Sequence, residues 1–102
     1  MEELNCVIGD YQIGYDDRNE LSFIIFLTHN KGNGFYVFPL SNYCIKLFLK
    51  VTECKDIKDI VGKYIRIQRD NHKDNFIPIL KRIYHIIKDD WFATDELFWI
   101  NK

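Results

Sequence analysis

A chain of 102 residues and 12.3 kDa has room for one domain and one modest core. Its 47% hydrophobic and 16% aromatic residues exclude an intrinsically disordered chain, and two prolines with five glycines exclude collagen-like and low-complexity readings. A net charge of −1 and a pI of about 6.3 argue against a duplex-DNA binder, which carries a basic footprint.

The longest apolar run, Phe23 to Leu27, is far too short to span a membrane. The opening Met1-Glu2-Glu3 lacks a basic region followed by an apolar stretch, so no secretory signal is expected. Charge is unevenly spread. Residues 1–30 carry one Arg against six acids (−5), residues 31–88 twelve basic against five acidic residues (+7), and residues 89–102 one Lys against four acids (−3). A basic centre between acidic ends can attract phosphate. The plainer reading, favoured here, puts Lys46, Lys50, Lys55 and Lys58 on solvated helix faces. Cys6, Cys44 and Cys54 are odd in number and contain no CxxC pair, which suits a reducing cytosol. They lie far in sequence from one another and from His29, His72 and His85, whereas zinc ligands come in close pairs. No metal and no cofactor is therefore expected. Cys6 and Cys44 read as small buried hydrophobes.

In chain order, residues 4–14 predict a strand, with Leu4, Cys6 and Ile8 on one face and a possible bulge at Gly9. Asp16 to Glu20 is a polar turn. Residues 21–28 are the strongest strand signal, almost continuously branched or aromatic, and predict a central strand covered on both faces. Asn30-Lys31-Gly32-Asn33-Gly34 is turn chemistry. Phe35 to Phe38 is a return strand ended by Pro39, which completes an antiparallel meander. Ser41 caps a helix running to about Val51, with Cys44, Leu47, Phe48 and Val51 as its core stripe. A second short helix covers about Asp56 to Val61, with Ile57, Ile60 and Val61 buried and Gly62 as its stop. Residues 63–69 alternate, Ile65 and Ile67 opposing Arg66 and Gln68. A polar turn at residues 70–75 leads into Phe76 to Ile87, where Pro78 and the isoleucines favour an edge strand over a helix. Asp89 to Phe92 turns away, and Thr94 caps a short helix to about Trp99.

The order β-β-β-α-α-β-β predicts one α+β domain over residues 1–102. Its sheet is mostly antiparallel, two short helices pack on one face, and a short C-terminal helix follows.

Chemical motifs are sparse. Ser22, Ser41 and the cysteines lie in no nucleophile motif, so no enzyme is expected. Asp16-Asp17 and Asp89-Asp90 sit in turns, where Asp serves local hydrogen bonding. The loop at 30–34 has small residues and Lys31 to approach a phosphate but lacks the Walker spacing, and an ordinary hairpin turn is favoured. The more informative set is Tyr15, Tyr36, Tyr64, Tyr84, Trp91 and Trp99 with Arg18, Arg66, Arg69 and Arg82. Aromatic faces stack on bases and guanidinium groups hold phosphates, although a core or interface also uses aromatics.

Four segments are similar to small bacteriophage early-region proteins: Ile13-Gly14-Tyr15-Asp16-Asp17 before the Leu21–Leu27 strand, the glycine turn Lys31 to Phe35, Ile57 through Ile67, and Ile86 through Phe92. The set resembles the Thoeris anti-defence sponge family, although those proteins carry a longer glycine run where this chain has Gly32-Asn33-Gly34-Phe35-Tyr36. Matching positions are Tyr15, Asp17, Gly34, Tyr36, Arg66, Trp91 and Phe92, of which Trp91 and Phe92 also suit a core. The resemblance implies a phage-encoded protein that sequesters a cyclic nucleotide immune signal in the host cytoplasm, without cleaving it, as a homo-oligomer. The ligand-binding set expected from residues and resemblance together is Tyr15, Arg18, Lys31, Asn33, Tyr36, Arg66 and Trp91. No membrane and no duplex DNA is expected as partner. One rival is an anti-CRISPR-type inhibitor that meets a CRISPR effector through Glu2, Glu3, Asp16, Asp17 and Glu20. Another is a nucleic-acid accessory module using Arg66, Arg69 and Lys73.

Overall fold

Alternation at Leu4, Cys6 and Ile8 buries one side of a long first strand, β1 (Glu2–Tyr15). The structure, a computed structural model, describes residues 2–70 and 79–99. Of the expected turn at 70–75, Asp70 is the last residue of a strand, and the rest, including His72 and Lys73, lies outside them with the start of the Phe76–Ile87 segment. β2 (Leu21–His29) and β3 (Gly32–Pro39) complete the meander. The helix α1 (Asn42–Thr52) and a 3₁₀ turn (Ile57–Ile60) come next. Then follow β4 (Tyr64–Asp70), β5 (Ile79–His85), β6 (Trp91–Ala93) and the short helix α2 (Asp95–Trp99). The sheet is antiparallel throughout, in the order β3-β2-β1-β4-β5-β6. The α+β, mostly antiparallel architecture is thus as expected, with one strand more.

The register of β1 against β2 shifts between Ile8 and Asp10, at the glycine where a bulge was expected. The extra residue changes the parity of the strand. Ile8 pairs with Leu27 on the core face, and beyond the bulge Tyr11 pairs with Ile25 on that same face.

One layer of helix covers one face of the sheet. Ser41 caps α1 as read from sequence, its Oγ accepting from the Cys44 N–H at 3.1 Å. The helix presses Cys44, Phe48 and Val51 onto the sheet. Phe48 is the hub, with ring centroids 5.1 Å from Phe23, 5.5 Å from Phe38 and 5.3 Å from Phe92. Ile65 and Ile67 point into the same core, as alternation required. α2 follows β6 at one edge of the sheet yet packs against β3 at the other. The sheet therefore curls around α1, and Tyr43 of α1 donates to Glu96 of α2 at 3.1 Å. Lys46, Lys50, Lys55 and Lys58 are exposed, in line with the plainer reading of the basic centre.

Five expectations are corrected. β5 is not an edge strand, because Trp91–Ala93 pairs with it on the side away from β4. β2 is second from an edge and covered on one face only, so Phe26 stands 36% exposed; its apolar outer residues meet Phe35 and Val37 of β3 instead of a second layer. Val61 is 44% exposed, because the chain leaves the 3₁₀ turn there in an extended conformation and only Ile60 is fully buried. Trp91 and Phe92 do not turn away. They form β6, since Phe92 pairs with Ile83 and reaches the Phe48 ring. Thr94 does not cap α2 with its hydroxyl, which donates across the sheet to the Leu80 carbonyl at 2.7 Å.

Candidate binding face

The uncovered face of the sheet carries the chemistry. Because β4 alternates, Ile65 and Ile67 face the core, and Tyr64, Arg66 and Gln68 face outward. β5 repeats the pattern, with Ile83 inward and Arg82 and Tyr84 outward. The pairings Asn5↔Arg66, Arg66↔Tyr84 and Tyr84↔Trp91 line up one row across β1, β4, β5 and β6. Within it the Arg66 Cζ stands 4.7 Å from the Tyr84 ring centroid, and the Arg82 Cζ stands 4.2 Å from that of Trp91. Tyr84 and Trp91 are 6.0 Å apart, centroid to centroid. The Tyr84 ring is buried beneath these neighbours, and Trp91 remains 39% exposed.

Two guanidinium groups thus share one solvent-facing surface, and neither pairs with a carboxylate among the described residues. Stacking on rings holds each arginine in place while leaving N–H donors for a ligand. Arg66 also borders an open concavity of about 570 Å³ lined by Glu3, Leu4, Asn5, Asn30 and Arg66. That size suits a nucleotide-sized ligand. The buried Arg66 Nε and Gln68 Oε1 have no hydrogen-bond partner among the described residues, so this face holds polar capacity that those residues leave unused.

The expected ligand set is not brought together as a whole. Arg66 and Trp91 converge through Tyr84. Tyr15, 71% exposed, and Arg18 lie at the turn between β1 and β2, where Arg18 pairs with Asp16 and Glu20 at 3.6 Å each. Lys31 lies at the opposite end of β2, in the turn to β3, on the Glu2 carboxylate. Glu2 also accepts from Arg69 Nε at 2.6 Å, and Tyr36 lies beside the Arg69 guanidinium on the core side. Lys31 and Tyr36 therefore belong to one ionic chain, away from Arg66. The Lys31 ammonium, then the Arg69 guanidinium, hold the Glu2 carboxyl below its usual range. Asn33 lines a separate apolar notch of about 330 Å³ with Gly9, Phe26, Gly34 and Phe35.

Rival residues are scattered further. Glu2 and Glu3 stand at one end of β1, and Asp16, Asp17 and Glu20 at the other, so the five acids form no common surface. Asp16 is a turn organiser, as its position suggested. One oxygen accepts from the Arg18 and Glu20 N–H groups at 2.9 and 3.0 Å, the other from the Ser22 hydroxyl at 3.0 Å. Arg69 turns away from Arg66, which separates the two described residues of the accessory-module reading. Gly32 to Gly34 lie in the β3 ladder and form no phosphate-cradling loop. Tyr84 and Arg82 were left out of the expected set; their signal was the alternation Arg82-Ile83-Tyr84 within an apolar segment. No family model and no curated protein matches this chain.

Proposed function

We propose that this chain acts by binding and transforms nothing, and that its ligand is an anion with an aromatic base, of the nucleotide class. One observation carries the reading: two arginines unpaired with any described carboxylate, each stacked on an aromatic ring, on the open face of a sheet. Trp91 and Tyr64, 39% and 62% exposed, offer ring faces to a base. Arg66 and Arg82 neutralise phosphate, and Asn5 and Asn30 offer amide groups to a base edge.

The resemblance to phage anti-defence sponges supplies the biological setting of the proposal. In it, the chain withdraws a cyclic nucleotide immune signal in the host cytoplasm. Sequestration needs protein in excess over ligand and a dissociation constant below the signalling concentration. It requires no acid, base or nucleophile.

Isothermal titration with cyclic ADP-ribose isomers, cyclic oligonucleotides and short single-stranded DNA tests this. Saturable heat with a cyclic ligand, and recovery of that ligand unchanged, supports the proposal. Binding to single-stranded DNA alone reassigns the face to nucleic acid. No heat with any of the three removes the reading.

A further inference from the structure

We propose that the free edge of β3 (Gly32–Pro39) is a strand-pairing interface between two copies of this chain. The inference is independent of the nucleotide reading and rests on the backbone of one strand.

β3 is an outermost strand of the sheet. In an antiparallel ladder, residues alternate between those bonded to the partner strand and those whose N–H and C=O point away from it. Leu40 donates to the Leu21 carbonyl at 3.2 Å, which fixes the alternation for the whole β2–β3 pair. Gly34, Tyr36 and Phe38 bond to β2. The N–H and C=O groups of Asn33, Phe35 and Val37 point outward, and among the described residues no strand takes them.

Such edges are normally guarded by charge, by proline, by a bulge or by a covering helix or loop. α2 packs against β3 from the core face, where its Leu97 is buried. β3 carries no charged residue, and its proline comes only at its last position. The residues with outward backbone groups also carry the exposed apolar side chains. Phe35 is 63% exposed and Val37 36%, and the Phe35 ring centroid lies 6.1 Å from that of Phe26.

The strand complements itself, and this argues for a second copy as occupant. Reversed about Tyr36, β3 sets Phe35 against the other copy's Val37, and Val37 against the other copy's Phe35. Each such pair can exchange two backbone hydrogen bonds. Asn33 meets the other copy's Pro39, where the missing N–H leaves one. Lys31 falls beyond the ladder, opposite the other copy's Ser41, so no like charges meet. The two-fold axis runs perpendicular to the sheet, which places both uncovered faces on the same side of one continuous sheet.

Sedimentation equilibrium of the full chain at high micromolar concentration tests the interface, with two variants. Val37→Pro removes one outward N–H without touching a bond to β2, and Phe35→Lys puts like charge on the edge. The expected result is twice the 12.3 kDa chain mass for the natural sequence and the single-chain mass for both variants, with unchanged circular dichroism. A natural chain that sediments as a monomer overturns the proposal. So does a dimer or larger assembly that both variants leave intact. A Phe35→Glu/Val37→Lys double variant sets opposite charges face to face in this register, and it regains the dimer only if that pairing is right.

Discussion

The Arg66 guanidinium stands over the ring of its cross-strand neighbour Tyr84, 4.7 Å from Cζ to ring centroid, on the side of the sheet that no helix covers among the described residues. The contact both buries the tyrosine and fixes the direction of the guanidinium. A ligand therefore meets a charge that is already oriented, so less side-chain entropy is lost on binding.

If this face binds a nucleotide as proposed, removing either kind of group from it weakens that binding. Trp91→Ala loses about 1–3 kcal/mol if a base stacks there, a drop of roughly 5- to 150-fold in affinity. Arg66→Lys keeps the charge but not the planar fork, and loses affinity while folding normally. Tyr15→Ala and Arg18→Ala lie at a distant turn and leave binding unchanged. Titration calorimetry on the four variants reads all of these outcomes.

Stability falls on the acid side. Glu2, Asp16 and Glu53 all have carboxyl groups held below their ordinary values. The causes are the Lys31 ammonium and then Arg69 for Glu2, the Glu20 backbone N–H and the Ser22 hydroxyl for Asp16, and the Lys88 ammonium for Glu53. For depressed acids the contribution is complete above the unfolded values of 4.5 for Glu and 3.8 for Asp, and is lost as pH falls through the lower folded values. Thermal midpoints begin to fall as pH drops through the unfolded histidine value of 6.5, because burial holds His29 below it, and fall further in the carboxylate range. Glu2→Gln removes part of the drop, and at neutral pH it unfolds earlier than the natural chain because Arg69 loses its carboxylate.

Phe48→Ala destabilises more than any single change on the uncovered face, by about 3–5 kcal/mol, since the cavity opens at the meeting point of three other rings. Phe48→Leu costs less because it refills most of that volume. Urea unfolding followed by tryptophan fluorescence gives both values.

Thiol reactivity separates the cysteines. Burial raises Cys6 to about 11 and Cys44 to about 12, while Cys54 is only partly buried. Under native conditions a maleimide modifies Cys54 and spares the other two, and all three react once the chain is unfolded. Mass spectrometry of the labelled protein counts the adducts.

Local pattern determined much of this protein. Alternation at Leu4-Cys6-Ile8 and Ile65-Ile67, the Ser41 cap and the stripe Cys44-Phe48-Val51 are properties of short segments, and each reads the same before and after folding. The glycine at position 9 announced its bulge for the same reason. Strand order decided the rest. Nothing in the run Leu21–Leu27 says that it lies next to an edge, because a strand covered on both faces and one sharing an apolar outer surface with Phe35 and Val37 have the same composition. The Trp91–Phe92 pair became a strand because Ile83 offered it a partner far from any local signal. The candidate face is of this second kind. Arg66 and Trp91 stood out in the sequence, but their link through Tyr84 exists only because β4, β5 and β6 are neighbours. Tyr15 and Lys31, equally conspicuous, were carried to opposite ends of the sheet. Side-chain direction follows from a period of two along one strand, and convergence follows from hydrogen bonds between strands, which the linear order of residues does not encode locally.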